Sequence, residues 1–170
     1  KLSVPLDTSM FVQSHTPFAE LVHGVDGKAG LKDNCIMVLG GDGDKCRHVA
    51  ERYGFMNVIT PGDIFAAYPE IWPFSKVFTD YYKSFARPLP RPINPGHPGN
   101  SLKIDAVFIF HDPRDWALDI QILLDVLLSR NGIMGTYSEK NNDRSLPNNG
   151  YQQDGQPPLY FSNADLLWAT

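Results

Sequence analysis

Two pairs of closely spaced aspartates are the residues of this sequence best suited to chemistry. Asp112 and Asp115 follow one apolar run, and Asp42 and Asp44 follow another, within a glycine-rich stretch. The first pair resembles the acids that hold Mg²⁺ at the end of a parallel strand. The second has the Asp-x-Asp spacing of a nucleophile beside an acid that protonates the leaving group. Aspartates also cap helices; capping is an equal alternative for the first pair and the favoured one for the second.

Other reactive residue types show no comparable arrangement. Ser14 and His15 are adjacent, but no glycine elbow surrounds the serine, so a strand end and a helix cap are the better interpretation. The five histidines lack metal-ligand spacing. Cys35 and Cys46 are the only cysteines, and we expect two reduced, packed thiols.

The strongest structural pattern lies between residues 103 and 131. Residues 106–110 predict a buried strand, and Asp112 is expected to cap a helix whose first residue is Pro113. Residues at helical spacing predict one buried stripe, made of Trp116, Ile120, Leu123, Leu124, Leu127 and Leu128. Asn131 and Gly132 then stop the helix. A strand followed directly by a helix indicates half of a βαβ unit and hence a parallel sheet.

The same alternation extends along the chain. We expect strands at residues 10–13, 35–39, 57–60 and 159–161, and helices at 17–23 (capped by Thr16), 45–53 and 64–68. The fold class is therefore α/β, a layered domain with a mostly parallel sheet. Residues 1–170 are expected to form a single domain, with a proline-rich loop at 86–102 and a flexible polar insertion at 135–157.

Composition excludes several classes of partner. The chain is 42% hydrophobic and 20% charged, with a net charge of −4 and no basic cluster, which argues against nucleic acid. No apolar run is long enough for a membrane span, and the N-terminus does not read as a signal peptide. Since the sequence lacks an initiator methionine and ends just after an apolar segment, we expect a piece of a longer protein.

Several long segments resemble a known family. They are QSHTPF, VLGGDGDKCRHVAERYGFMNVITPGDI, YPEIWPF, VFIFHDPRDWALDIQILLDVLLSRNG and PLYFSNADLLWAT. Together, over residues 10–134 and 157–170, they resemble the cat eye syndrome critical region protein family. That family is a branch of the haloacid dehalogenase-like hydrolases, in the class related to p-nitrophenyl phosphatase and pyridoxal phosphatase. The matching part is its large cap domain, and none of the four catalytic motifs of the core is present.

The resemblance implies a phosphatase of a phosphorylated small molecule, with Mg²⁺ and an aspartyl-phosphate intermediate supplied by a catalytic core elsewhere in its own polypeptide. This chain alone is then expected to be inactive, with no catalytic residue or metal ligand of its own. A Thr-Asn-x-Asp loop of related caps corresponds to residues 162–165 here, with serine and alanine as departures. Asn163 and Asp165 are therefore expected to shape the substrate pocket, and Asp112 to border it. The compartment implied is mitochondrial, with a cytoplasmic location left open.

Two alternatives remain open. The chain could be a non-enzymatic binding or interaction domain on the same fold, with the aromatic residues between 71 and 85 as its interface. A flavodoxin-like or response-regulator-like domain with Asp112 as acceptor fits the strand order but not the family segments.

Overall fold

A four-stranded parallel sheet organises the structure. The computed structural model describes residues 5, 7, 10–74, 78–114 and 116–163. Its strands are β1 (Cys35–Gly41), β2 (Asn57–Ile59), β3 (Ala106–Pro113) and β4 (Leu159–Phe161), in the spatial order β2-β1-β3-β4. All three pairings are parallel, and the α-helices are α1 (Lys45–Tyr53), α2 (Pro61–Ala67), α3 (Thr79–Phe85) and α4 (Trp116–Leu127). The predicted layered α/β class is confirmed.

The two faces of the sheet hold two separate cores. Successive residues of a strand point to opposite faces, so β1 sends Ile36 and Val38 one way and Met37 and Leu39 the other. The first face is covered by α1 and by a 3₁₀ helix, Thr16–Val22. The second is covered by α2, α3 and α4. Burial on both faces explains why the central strands are almost continuously apolar.

In the first half of the chain, α1 follows the sequence prediction, but the elements before residue 24 do not. Helix α1 begins after Asp44 and ends at Gly54, whose φ of 110° is the left-handed C-cap that glycine adopts without strain. The predicted strand at 10–13 is wrong, since residues 11–13 form no strand. Thr16 does not cap the next helix either: its hydroxyl accepts a hydrogen bond from Gln13 N–H at 2.8 Å, and the helix is of 3₁₀ type.

Helix α4 differs from the prediction in its start and in its buried face. Strand β3 continues to Pro113 and α4 begins only at Trp116, so the prediction that Asp112 caps this helix is wrong. The buried residues of α4 are Leu118, Asp119, Ile122 and Val126, whereas the predicted stripe leaves Trp116, Ile120 and Leu124 exposed. Apolar residues surround most of this helix, and a buried aspartate lies on the face that packs. Of the predicted stripe, Leu123 packs against the core, so hydrophobic spacing alone located the buried face only in part.

The segment from 135 to 157 contains no α-helix or strand, yet it is held by side-chain hydrogen bonds. The Ser138 hydroxyl donates to Asp154 Oδ2 at 2.7 Å, and Asn141 Nδ2 donates to the Leu128 carbonyl at 2.8 Å. Ser138 and Asn141 are both buried. The predicted flexibility of this segment stays a prediction.

Candidate functional site

The carboxyl ends of three strands bring the predicted polar residues to one edge of the sheet. Residues 42–44 follow β1, Asp112 lies near the end of β3, and Asn163 follows β4. Because β1, β3 and β4 run parallel, these ends share the same edge. Ligands of open α/β sheets bind outside the carboxyl ends of the strands. This edge is therefore the candidate functional site.

Gly40 allows the two central strands to approach each other there. A Cβ at this position would lie 1.9 Å from the His111 carbonyl oxygen, and its φ is 117°. The β1–β3 register also shifts between Leu39 and Gly41, where Gly41 pairs with Pro113. The glycines at this strand end thus allow a backbone conformation and a close approach that other residues would not, as the sequence analysis favoured. The register shift sets the position of the loop that follows.

Asp42 is tied into a polar network at the surface of this edge. Its carboxylate accepts hydrogen bonds from the Tyr81 hydroxyl at 3.1 Å and from Lys45 Nζ at 3.2 Å, and Arg114 Nε lies 3.8 Å away. The Lys45 hydrogen bond, followed by that of Tyr81, lowers the pKa of Asp42 below its ordinary value. The Tyr81 hydroxyl also accepts from Gly43 N–H at 2.7 Å. Asp42 is therefore an ionised anchor for the loop and for Arg114.

Asp44 stands at the N-cap position of α1, but its side chain makes no capping hydrogen bond. It pairs instead with His48, at 3.2 Å from Nε2, and with Arg87 at 3.9 Å. Asp44 thus occupies the predicted N-cap position, but its side chain does not cap the helix. Asp42 and Asp44 each have cationic partners, so neither has the surroundings of a free carboxylate nucleophile.

Asp112 and Asn163 are both exposed at this edge. Between the ends of β3 and β4, Ser162 fixes the geometry: its N–H donates to the Ile109 carbonyl at 3.0 Å and its hydroxyl donates to the Phe110 carbonyl at 2.7 Å. The serine therefore links the two strand ends. Asn163, the next residue in the chain, lies just beyond this link. Asp115 and Asp165 lie outside the described residues.

A fully buried arginine beneath this edge was missed by the sequence analysis. Arg47 Nη2 donates to Asp63 Oδ1 at 2.8 Å and to Thr60 Oγ1 at 3.1 Å. Asp63 also accepts from the backbone N–H of Thr60 at 2.8 Å and of Arg87 at 2.7 Å. The one signal available in the sequence was the Thr-x-x-Asp spacing of residues 60–63, which suits a helix start.

Arg47 also lines a cavity of about 30 Å³ between the β1 loop and helices α2 and α3. Its Nε and Nη1 atoms have no hydrogen-bond partner among the described residues. Asp119 and Tyr81 line the same space. A water needs roughly 10–15 Å³ of such volume, so the cavity of about 30 Å³ has room for two or three waters that would satisfy these donors. It is too small for a metabolite, and we assign it a structural role.

The remaining reactive residue types are not assembled into a site. Both cysteines are free and partly buried, as predicted for packed thiols. Burial raises the pKa of Cys35 to about 12 and that of Cys46 to about 11. No group of three His, Cys, Asp or Glu side chains among the described residues is placed to hold a metal ion. In the same part of the chain, no helix has the length and apolarity to cross a membrane.

Comparison with known proteins identifies two relatives that match nearly the whole chain. No family model matches. The chain is 36% identical over 170 residues to "Mitochondrial hydrolase YKR070W" of Saccharomyces cerevisiae, covering 99% of this chain and 40% of that protein. It is 34% identical over 169 residues to a "Cardiolipin synthase (CMP-forming) / mitochondrial hydrolase fusion protein" of Schizosaccharomyces pombe, covering 98% of this chain and 23% of that protein.

The chain therefore spans less than half the length of either relative. The names of both relatives contain the words "mitochondrial hydrolase", which supports the mitochondrial location expected for this protein.

Proposed function

We propose that this chain is the substrate-covering cap portion of a haloacid dehalogenase-like hydrolase that acts on a phosphorylated small molecule. One observation carries the proposal: two proteins named as hydrolases match almost all of this chain with only 40% and 23% of their own length. The remainder of such a polypeptide has room for a catalytic core. The open polar edge of the sheet is the surface that would face it.

Two donor side chains of the edge could contact a phosphate ester, although its aspartates would repel the same group. The Arg114 guanidinium is 69% exposed and is held beside the loop by Asp42, so it can donate hydrogen bonds to phosphate oxygens. The Asn163 amide can donate to the same group, and the Asp112 carboxylate can accept from a substrate hydroxyl. In this proposal these side chains orient the substrate and exclude water, and Asp165 joins them.

The described residues do not fit the magnesium ion that such a hydrolase uses. Asp42 is held by Lys45 and Tyr81, and Asp63 is enclosed by Arg47 and two backbone N–H groups. We therefore place the ion and the nucleophile in the rest of the polypeptide and assign no catalytic step to this chain.

The first test measures hydrolysis of p-nitrophenyl phosphate by the purified 170-residue chain with Mg²⁺ present. We expect no turnover above background. Turnover that disappears in the Asp42→Asn or Asp44→Asn variant would refute the assignment, because the chain would then contain its own nucleophile.

The second test uses a chimera in which this chain replaces the matching segment of the budding-yeast relative. We expect Arg114→Gln and Asn163→Ala to raise KM for p-nitrophenyl phosphate, by about tenfold for the arginine if one charge-assisted hydrogen bond is lost. Glu20→Gln, an exposed acid on the 3₁₀ helix, is the matched control and should change nothing. An unchanged KM in all variants of an active chimera would show that the edge does not face the substrate.

A non-enzymatic binding domain is the second candidate, and exposed aromatic residues favour it. Phe74 is 81% exposed and Phe78 is 42% exposed, whereas Tyr82 of the same predicted interface is buried. If capture of a partner protein in a pull-down requires Phe74, and the chimera is folded but inactive, this candidate is favoured over the hydrolase.

A further inference from the structure

A large groove lies at the other edge of the sheet, away from the candidate functional site. Helices α2 and α4 begin near the carboxyl ends of β2 and β3, the edge that holds the candidate site. The groove is lined by residues at or beyond the C-terminal ends of these two helices. Its volume is about 570 Å³, within the 300–1,000 Å³ typical of small-molecule sites. The cap function proposed above makes no use of it, and the inference drawn here does not depend on that function.

The wall of the groove is mostly apolar and is fixed by hydrogen bonds. Ile71, Ile93, Leu128 and Met134 supply the apolar surface. The Tyr68 hydroxyl accepts from Ile93 N–H at 3.0 Å and donates to the Ile93 carbonyl at 3.2 Å, which ties α2 to the proline-rich loop. Met134 is held from the other side, because its N–H donates to the Leu102 carbonyl at 2.9 Å. These hydrogen bonds hold two parts of the groove's wall in place.

Among the described residues, the charge of the groove's lining is of one sign. Glu70 and Asp125 are the charged residues of its described lining, which contains no lysine, arginine or histidine. Asp125 Oδ1 accepts a hydrogen bond from Gln121 Nε2 at 3.0 Å. Burial raises the pKa of this carboxyl despite that hydrogen bond. A cation placed beside Asp125 would compensate the desolvation that its ionised form now bears.

We propose that this groove binds a small amphiphilic amine, a molecule with an apolar or aromatic body and one protonated amino group. The ammonium would pair with Asp125, with Glu70 at the rim, and the body would lie on Ile71 and Leu128. Tyr68 and Tyr137 also line the groove, and an aromatic ring attracts a cation that lies over its face at short range. An anionic ligand would meet two carboxylates, and a neutral apolar ligand would give Asp125 no cationic partner.

The test compares three probes with the same indole body and different charges. Tryptamine is cationic, tryptophol is neutral and indole-3-acetate is anionic. Each is titrated into the ¹⁵N-labelled protein, and amide shifts are followed by NMR. We expect tryptamine to bind in the millimolar range usual for a ligand of this size and to shift the amides of Asp125, Leu128 and Thr136. It should bind about tenfold more tightly than tryptophol, which lacks the charged hydrogen bond.

Two variants and a control assign the effect to the carboxylates. Asp125→Asn should weaken tryptamine to the level of tryptophol, and Glu70→Gln should weaken it less because Glu70 is exposed. Glu20→Gln, on a different element, should leave binding unchanged. The amide spectrum of each variant shows directly whether it is folded. If the Asp125→Asn variant is unfolded, the Glu70→Gln variant provides the test.

Four results would overturn the proposal. Equal affinity for tryptamine and tryptophol would remove the role of charge. Amide shifts confined to other surfaces, or no saturation by tryptamine, would show that the groove does not bind amines. Tryptamine binding that weakens as protein concentration rises would identify a second copy of the chain as the occupant instead.

Discussion

Replacing Asp63 by asparagine should destabilise the protein strongly, because it leaves the charge of Arg47 buried and uncompensated. Both side chains are essentially inaccessible to solvent, at 0% and 1% exposure. The Asp63 carboxylate accepts three hydrogen bonds, from Arg47 Nη2, Thr60 N–H and Arg87 N–H. An asparagine retains one acceptor oxygen and turns the other position into a donor. At least one of the three donors therefore loses its partner.

The expected loss is about 3–5 kcal/mol in the free energy of unfolding, the usual result of removing one member of a buried ion pair. With a urea m-value of about 2 kcal/mol per M, the unfolding midpoint should fall by about 2 M. Far-UV circular dichroism in urea measures this at neutral pH. Asp33→Asn is the matched control, since Asp33 is exposed and the same chemical change there should cost less than about 0.5 kcal/mol.

A double-mutant cycle isolates the ion pair from the other contacts. Arg47→Met keeps much of the side-chain volume and removes the charge, and it should also destabilise because Asp63 then remains buried as a carboxylate. The double variant should be more stable than the sum of the two single losses predicts, by about 2 kcal/mol. If Asp63→Asn costs less than about 1 kcal/mol, or if the two losses add, the buried pair does not couple α1 to α2 and the reasoning fails.

Three further predictions concern other parts of the fold. Gly40→Ala should lower the free energy of unfolding in urea by about 1–3 kcal/mol or more, because a Cβ would collide with a β3 carbonyl at a positive φ. Gly99→Ala is the control: its Cβ would meet no atom within 4 Å, so the free energy of unfolding should hardly change. Burial raises the Asp125 pKa above its ordinary 3.8, so its ionisation lowers stability as pH rises from about 3.8, and the loss is complete above the folded-state pKa. Asp125→Asn should therefore stabilise the protein at pH 7, and this gain should vanish as pH falls to about 3.5; a gain that persists at low pH would have another cause. Cys35 and Cys46, with pKa values raised to about 12 and about 11, should react with Ellman's reagent at pH 8 far more slowly in the folded than in the urea-unfolded chain; equal rates would contradict their burial.

The sequence predicted the elements whose signals are local. Strand β1 and helix α1 appear where expected, because an apolar run, a helical stripe and the terminating Gly54 all act within one segment. Helix α2 begins earlier than expected, at Pro61, because Asp63 reaches back to the N–H of Thr60. That spacing is visible in the sequence, but the apolar pattern alone predicts the helix only from residue 64.

Features that depend on distant parts of the chain could not be predicted in this way. Which face of α4 packs is decided by the sheet and by α2, so Leu118 and Ile122 are buried although Ile120 and Leu124 are equally apolar. The burial of Arg47 depends on an aspartate 16 residues away on another helix. For the candidate site, the shared edge of Asp112 and Asn163 follows from parallel strand order. The links made by Ser162 and Asp42 are tertiary contacts that no local pattern shows.

The order of the strands has a consequence for self-association. The two long strands, β1 with seven residues and β3 with eight, lie inside the sheet, and the outer positions are taken by β2 and β4 with three residues each. The unpaired backbone of an edge strand is the template on which another chain can add and start a fibril, and short edges are one way proteins limit this. Within the part of the chain that the structure describes, each edge offers a ladder of three residues, while the most apolar strands of the sheet are paired on both sides. A partly unfolded form that loses β4 would expose the eight-residue strand β3, so resistance to aggregation rests on the shortest strands of the sheet.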